Sequence, residues 1–289
     1  MNGVPERPAA GHKGMFGMVT VVGGQDGVED VMIGAPALAA EAALRSGCGR
    51  VLVVSPRSVL SHVLACCPSA TGRPLPGDAA GAVATVQAVQ ASVQSVAAGP
   101  GLGRGEAARA LVATLLERPG PPLVLDADAL HVFADRCMPA AREGVVLTPH
   151  PGEFAALATA FGVPAAGDDR EARESAAGAL AAATRCIVVL KGHGTVVAGP
   201  GGRVWVCPLG GVELAVPGSG DVLTGVTAGV LAQQVAAGCL DAFAAACAAV
   251  TAHARAGASW RREHGDRGML ARELADRIPQ AVGFTDGEV

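Results

Sequence analysis

The chain has 289 residues, with Lys+Arg 22 against Asp+Glu 26 and a net charge of −4. Half of it is apolar and 17% is charged, which supplies a large core and excludes a disordered chain. A mildly acidic chain with no basic run, Trp 2, Phe 6 and Tyr 0 has neither the charge nor the stacking platforms for nucleic-acid binding.

In chain order, residues 1–14 (MNGVPERPAAGHKG) lack the basic stretch and apolar core of a signal peptide. Short β-branched runs ending in Gly, Pro or Asp then alternate with longer Ala/Leu-rich stretches. Strands are predicted at 18–22, 50–54, 93–97, 123–125, 144–147, 186–190, 195–198 and 204–207, and helices near 35–46, 79–90, 106–116, 151–161, 169–183, 219–234 and 241–259. Continuously apolar strands such as VLVV and IVVL suit a parallel sheet covered on both faces. The alternation predicts one doubly wound α/β domain over residues 1–289, with 195–207 as an antiparallel hairpin closing one side. The stretch 68–76 reads as a surface loop. The longest apolar tract, 228–250, is broken by Gln233, Gln234 and Asp241. It falls short of the roughly 18 uninterrupted residues of a membrane span, so a cytoplasmic protein is expected. The eight cysteines form no C-x-x-C pair and read as reduced, buried thiols.

Ligands of such a sheet bind beyond the carboxyl ends of the strands, where a strand runs into a Gly-rich or charged turn. Pro217-Gly-Ser-Gly-Asp-Val-Leu-Thr-Gly225 precedes a long apolar helix. Small residues at a helix N-terminus make an anion hole for phosphate, and Asp221 beside that hole is placed to take a proton from a substrate hydroxyl. Lys191, in Leu190-Lys-Gly-His-Gly-Thr195, is one of only two lysines in a chain that otherwise uses Arg. A compact point charge there suits phosphate or nucleotide contact. No Walker A loop is present. Gly99-Pro-Gly-Leu-Gly103 lets a ligand approach the backbone closely, but Arg104 breaks the dinucleotide fingerprint. In Thr148-Pro-His-Pro-Gly-Glu153, prolines on both sides of His150 stiffen a turn that holds His and Glu at a strand end. Asp126 and Asp128 are open to two readings, a metal site or a cap of the next helix. His12-Lys-Gly14 ahead of strand one and Gly34-Ala-Pro36 complete the set. His253, amid Ala in a helix, is expected to be structural.

Taken together, these motifs resemble the ADP/ATP-dependent NAD(P)H-hydrate dehydratases, repair enzymes of the ribokinase-like superfamily. The resemblance runs through HKG at 12–14, GAP at 34–36, GPGLG at 99–103, DADAL at 126–130, TPHPGEF at 148–154, KGHGT at 191–195 and GSGD at 218–221, in the family's order. It implies a ribokinase-like fold, with a doubly wound, mostly parallel sheet and helices on both faces. It also implies repair of NADH or NADPH hydrated across the ring: a nucleotide phosphorylates the new hydroxyl and phosphate then leaves. Carried over by position, Ala35, Gly103, His150 and Asp221 would contact the S epimer of the hydrated cofactor. Lys191, Gly192, His193, Gly194, Thr195 and Gly220 would hold the AMP part of the nucleotide, and Asp221 would be the base. The resemblance further implies ADP before ATP as phosphoryl donor, Mg²⁺ and a homotetramer; 289 residues are expected to leave no room for the epimerase domain to which the family is sometimes fused. Two departures stand out: Gly210-Gly211 replaces the family's Gly-Asn, and 66–76 diverges. The alternatives are a ribokinase-like kinase of a hydroxymethyl-pyrimidine or hydroxyethyl-thiazole, and an inactive nucleotide-binding relative.

Overall fold

The computed structural model describes residues 3–27, 30–140 and 142–283. Strand β1 (Met18–Val22) leads into a small ribbon of β2 (Gln25–Asp26) and β3 (Val31–Met32), then α1 (Gly34–Arg45). There follow β4 (Arg50–Pro56), α2 (Arg57–Cys66), β5 (Thr71–Leu75), α3 (Ala79–Gln90), β6 (Ser95–Ala98) and α4 (Glu106–Glu117). The middle of the chain forms β7 (Leu123–Leu125), α5 (Asp128–Arg136), β8 (Val145–Leu147), α6 (Pro151–Phe161), α7 (Arg170–Thr184) and β9 (Ile187–Leu190). A hairpin of β10 (Val196–Ala198) and β11 (Val204–Val206) precedes α8 (Ser219–Ala237), α9 (Ala242–His264) and α10 (Ala271–Val282).

The strands form one sheet in the order β11-β10-β9-β8-β7-β6-β1-β4-β5. Pairing from β5 across to β9 is parallel, and β10 and β11 close the far side in antiparallel register, as the turn at 199–202 foreshadows. Alternate residues of each strand feed two cores. Val19, Val21, Val53, Val124 and Val189 face α1, α8, α9 and α10. Val22, Val54, Leu125, Leu147 and Leu190 face α3 to α7. The result is the three-layer, doubly wound architecture the alternation predicts.

Helix α8 is buried nearly all round, since it lies between the sheet and the α1 and α9 helices. Its glycines permit this: a Cβ on Gly225 would lie 2.1 Å from the carbonyl oxygen of Ala39, and one on Gly229 would lie 2.0 Å from Ser46 Oγ. The close crossing of α1 and α8 fixes where the α8 N-terminus emerges.

One expectation is corrected. Residues 71–75 are not loop but edge strand β5, paired parallel with β4 from Leu52↔Thr71 to Pro56↔Leu75. Pro74 is tolerated there because an edge strand has one side without ladder bonds, and the exposed Thr71, Gly72 and Arg73 give the segment a loop's polarity.

Candidate active site

Because the central strands run parallel, the loops after β1, β6, β7, β8 and β9 gather at one edge of the sheet, and α8 begins beside them. At the end of β7, Ala127 adopts φ 47, ψ −120, a conformation costly for a residue with a Cβ. This kink turns Asp126 inward, and Asp128 toward the 99–103 loop, where it accepts from the Gly103 N–H at 2.9 Å. Asp126 is buried and fully engaged. It accepts at Oδ1 from Lys191 Nζ at 2.8 Å and Thr148 Oγ1 at 2.9 Å, and at Oδ2 from Thr224 Oγ1 at 2.8 Å. The cap position of α5 is Ala127, without a side-chain cap, so Asp126 does not cap that helix; its carboxylate is held instead by Lys191, Thr148 and Thr224.

Lys191 lies 3.7 Å from Glu153 Oε2 as well, and its backbone N–H donates to the Pro149 carbonyl, so the loops after β8 and β9 are tied together. Burial pulls the Lys191 ammonium down, but Asp126, Glu153 and Asp221 outweigh it and hold its pKa above the ordinary value. Asp221 sits in the first turn of α8. Burial, followed by the repulsion of Asp126, raises its pKa from 3.8 to about 7, with Lys191 opposing and Glu153 adding. A carboxyl group poised near neutrality can give up or take a proton at working pH.

Helix α8 starts with Gly218 in the left-handed region (φ 88) and no side-chain cap. The Ser219 N–H donates to the Val216 carbonyl, and the N–H groups that follow it begin beside a cleft of about 670 Å³, whose walls include Lys191, His193, Thr195, Ser219, Gly220 and His253. The 191–195 turn depends on glycine, with Gly192 at φ 139 and Gly194 at φ 64. Gly211 also lines this cleft. A Cβ there would lie 2.4 Å from Oε2 of the buried Glu213, which is a local reason for glycine where the family carries Asn. A second cleft of about 690 Å³ opens along the same strand ends, between Gly24–Gly27, Arg57 and Leu102–Gly105. A further hollow of about 880 Å³ lies at the opposite strand ends around Pro122, Gly144 and Ile187 and contains none of these groups.

The structure thus brings together Lys191, Gly192, His193, Thr195 and Gly220 on one cleft, with Gly194 in the same turn, Asp221 in the α8 first turn behind Gly220, and Gly103 on the second cleft. Ala35 is buried in the first turn of α1. His150 stands at the rim of the first cleft and caps α6. Its Nδ1 accepts from the N–H groups of Gly152 at 3.0 Å and Glu153 at 3.2 Å, and its Nε2 lies 3.4 Å from Glu153 Oε1. His12-Lys-Gly14 is not at the site: it precedes β1, and so lies at the opposite strand ends, with the Lys13 carbonyl packed on Gly49. Sequence reasoning missed Thr148 and Thr224 as ligands of Asp126, although both stand inside quoted motifs. It also missed that His253 reaches Ser219.

A doubly wound, mostly parallel sheet closed by an antiparallel hairpin is a ribokinase-like fold. Ribokinase from Cryptococcus neoformans has the same fold, with a TM-score of 0.58 at 12% identity over 91% of this chain and 99% of that one. Residues 19–280 match the family model described as NAD(P)H-hydrate dehydratase, and the chain belongs to that family. It is 40% identical over 273 residues to the ADP-dependent (S)-NAD(P)H-hydrate dehydratase of Neisseria meningitidis, covering 91% of this chain and 84% of that one. A crystal structure of the ADP/ATP-dependent dehydratase of Bacillus subtilis, co-crystallised with ATP/Mg²⁺, gives a TM-score of 0.79 at 34% identity, over 96% of this chain and 93% of that one. The bifunctional NAD(P)H-hydrate repair enzyme of Moorella thermoacetica is 38% identical over 99% of this chain, which spans 53% of that longer protein.

Proposed function

We infer that residues 1–289 act as an ADP-dependent dehydratase of the S epimer of hydrated NADH and NADPH. The observation that carries this reading is Asp221, a carboxyl group raised to about 7 in the first turn of α8, where that helix opens on an anion-binding cleft. In this reading Lys191–Thr195 and Gly220 hold the AMP part of ADP. Ala35, Gly103, His150 and Asp221 contact the hydrated cofactor. Asp221 takes the proton of the ring hydroxyl as that oxygen attacks the terminal phosphorus of ADP, and the bond to the bridging oxygen breaks to release AMP. The ring C–O bond then breaks with its electron pair leaving on phosphate, and loss of a proton from the neighbouring ring carbon restores the double bond. Hydroxide is a poor leaving group and phosphate a good one, so the phosphoryl group lowers the elimination barrier. The protein contributes position and charge.

The donor set fits magnesium carried on the nucleotide phosphates, not a protein cage. Both oxygens of Asp126 are occupied and Glu153 Oε2 accepts from the His150 N–H, whereas Asp221 makes no side-chain hydrogen bond among the described residues. Asp221 is therefore the side chain that would meet the ion, whose chemistry is to neutralise charge building on the phosphates. Among the described residues no helix is long and apolar enough to cross a membrane, and we place the chain in the cytoplasm as a homotetramer, which light scattering tests directly.

Phosphorus NMR tests the reading. Incubation with ADP and hydrated NADH should yield AMP, inorganic phosphate and NADH in equal amounts. A stable phosphate ester formed from a hydroxymethyl-pyrimidine or hydroxyethyl-thiazole, with hydrated NADH untouched, would instead make the chain a vitamin-precursor kinase. Absence of any phosphoryl transfer would make it an inactive relative.

A further inference from the structure

His253 lies in the middle of α9, and its ring is buried against the start of α8. Burial pushes its pKa down to about 4, so the imidazole is neutral and carries a single N–H. Its Nε2 stands 2.9 Å from the carbonyl oxygen of Ser219 and 3.1 Å from Ser219 Oγ. A carbonyl oxygen only accepts. A lone pair on Nε2 would therefore face another lone pair at hydrogen-bond distance, and the proton must sit on Nε2. That N–H is shared between the carbonyl and the hydroxyl oxygen of Ser219, so the hydroxyl is an acceptor toward His253.

The tautomer has a consequence for Ser219. Its hydroxyl keeps its own hydrogen, for which there is no acceptor among the described residues. Ser219 lines the same cleft as Lys191 and Gly220 and is the first residue of α8, where the backbone N–H groups already favour an anion. We propose that His253 is a positioning residue for nucleotide phosphate: by donating from Nε2 it fixes the Ser219 hydroxyl as a donor into the α8 anion hole. The proposal rests on the reading that the nucleotide occupies this cleft. In this role His253 acts through Ser219, and it also anchors the first carbonyl of α8 to α9, so that the hole keeps its shape before ligand arrives.

The test is calorimetric titration of the purified protein with ADP, together with kcat, both KM values and Tm. Four variants are compared: His253→Leu, His253→Gln, Ser219→Ala and the double variant Ser219→Ala/His253→Leu. Leucine fills the ring's space without a donor, while glutamine keeps an N–H at comparable reach. A hydrogen bond to a charged group lost at the phosphate should weaken ADP about ten- to a hundredfold in His253→Leu and in Ser219→Ala. His253→Gln should bind ADP nearly as the wild type does, the KM for hydrated NADH should not move, and the double variant should be no weaker than Ser219→Ala alone. Unchanged ADP affinity in either single variant overturns the proposal, as do losses that multiply in the double variant. A purely structural His253 would lower Tm and raise both KM values together, with Gln no better than Leu, and that result also overturns it. Should His253→Leu fail to fold, Ser219→Ala and His253→Gln alone still decide: weak binding in the first and normal binding in the second supports the proposal, any other pair refutes it. Failure of the underlying reading is distinguishable, because the wild-type protein would then not bind ADP at all.

Discussion

Asp221 is placed among the like charges of Asp126 and Glu153, which Lys191 offsets in part. With its pKa near 7 it should impose an acid limb on kcat/KM for hydrated NADH, activity rising with pH through about 7 as the base ionises. Asp221→Asn keeps size and removes the base, so kcat should fall about 10²- to 10⁴-fold while ADP still binds. The same substitution should change stability in a pH-dependent way. The carboxyl ordinarily titrates at 3.8 and in the fold near 7, so between these values the unfolded chain has lost a proton that the folded chain still holds. Wild-type stability is therefore lost as pH rises through that window and levels off above it. The Tm advantage of Asp221→Asn should be absent near pH 4 and constant above about pH 7; an advantage independent of pH contradicts the buried, repelled carboxylate. Lys191 has a second task that the motif did not reveal, since its ammonium neutralises buried Asp126. Lys191→Met should weaken ADP and also destabilise by about 3–5 kcal/mol, the cost of leaving a buried charge without its ionic partner. Weaker ADP binding with unchanged Tm would remove the Asp126 contact from the account. Asp221 and Lys191 were legible in the sequence because each stands in a local motif whose chemistry follows from spacing. The role of Asp126 was not, because its ligand Thr224 is 98 residues away and local spacing does not report such pairs.

At the scale of elements, the start of α8 is held by packing further along it. Gly225→Ala would gain about 1 kcal/mol of helix propensity in an exposed helix. Here its methyl group would meet the Ala39 carbonyl at 2.1 Å, backbone that cannot rotate away. The substitution should instead cost about 1–3 kcal/mol and lower kcat as the α8 N-terminus shifts. A rise in Tm would show that α1 and α8 do not cross this closely. Capping of α6 gives a separate test. His150→Ala removes the acceptor for two N–H groups and should cost about 0.5–2 kcal/mol. It should also raise the KM for hydrated NADH with the KM for ADP unmoved. A Tm loss with both KM values unchanged would leave His150 as a cap and nothing more. Buried elements were the legible ones: strands β1 and β7 have the bounds their apolar runs give, because continuous Val and Leu can only be buried in a covered parallel sheet. Edge strand β5 was hidden by its Pro and its exposed polar residues. Helix α10 was hidden by its charged face, although Leu274, Ala275 and Ile278 bury a regular stripe. The tertiary surroundings, not local composition, decide both.

At the scale of the whole molecule, the parallel topology brings the linings of two clefts, scattered between Gly24 and His253, to the same strand ends. Each crossover returns the chain so that the next strand ends at the same edge, and α8 then presents its N-terminus there. The start of α8, Asp221 and the second cleft are neighbours for that reason, an arrangement that the proposed two-substrate reaction requires. The central claim is that this edge spends a phosphoryl group to dehydrate a nicotinamide cofactor. The most direct measurement is recovery of the near-ultraviolet absorbance of the dihydronicotinamide ring from hydrated NADH, with ADP, with ATP and with no nucleotide. The expected result is recovery that depends on nucleotide, is faster with ADP, and is abolished in Asp221→Asn. Recovery without nucleotide, or equal recovery by Asp221→Asn, would contradict the phosphoryl-transfer route; no recovery with either nucleotide would contradict the claim itself.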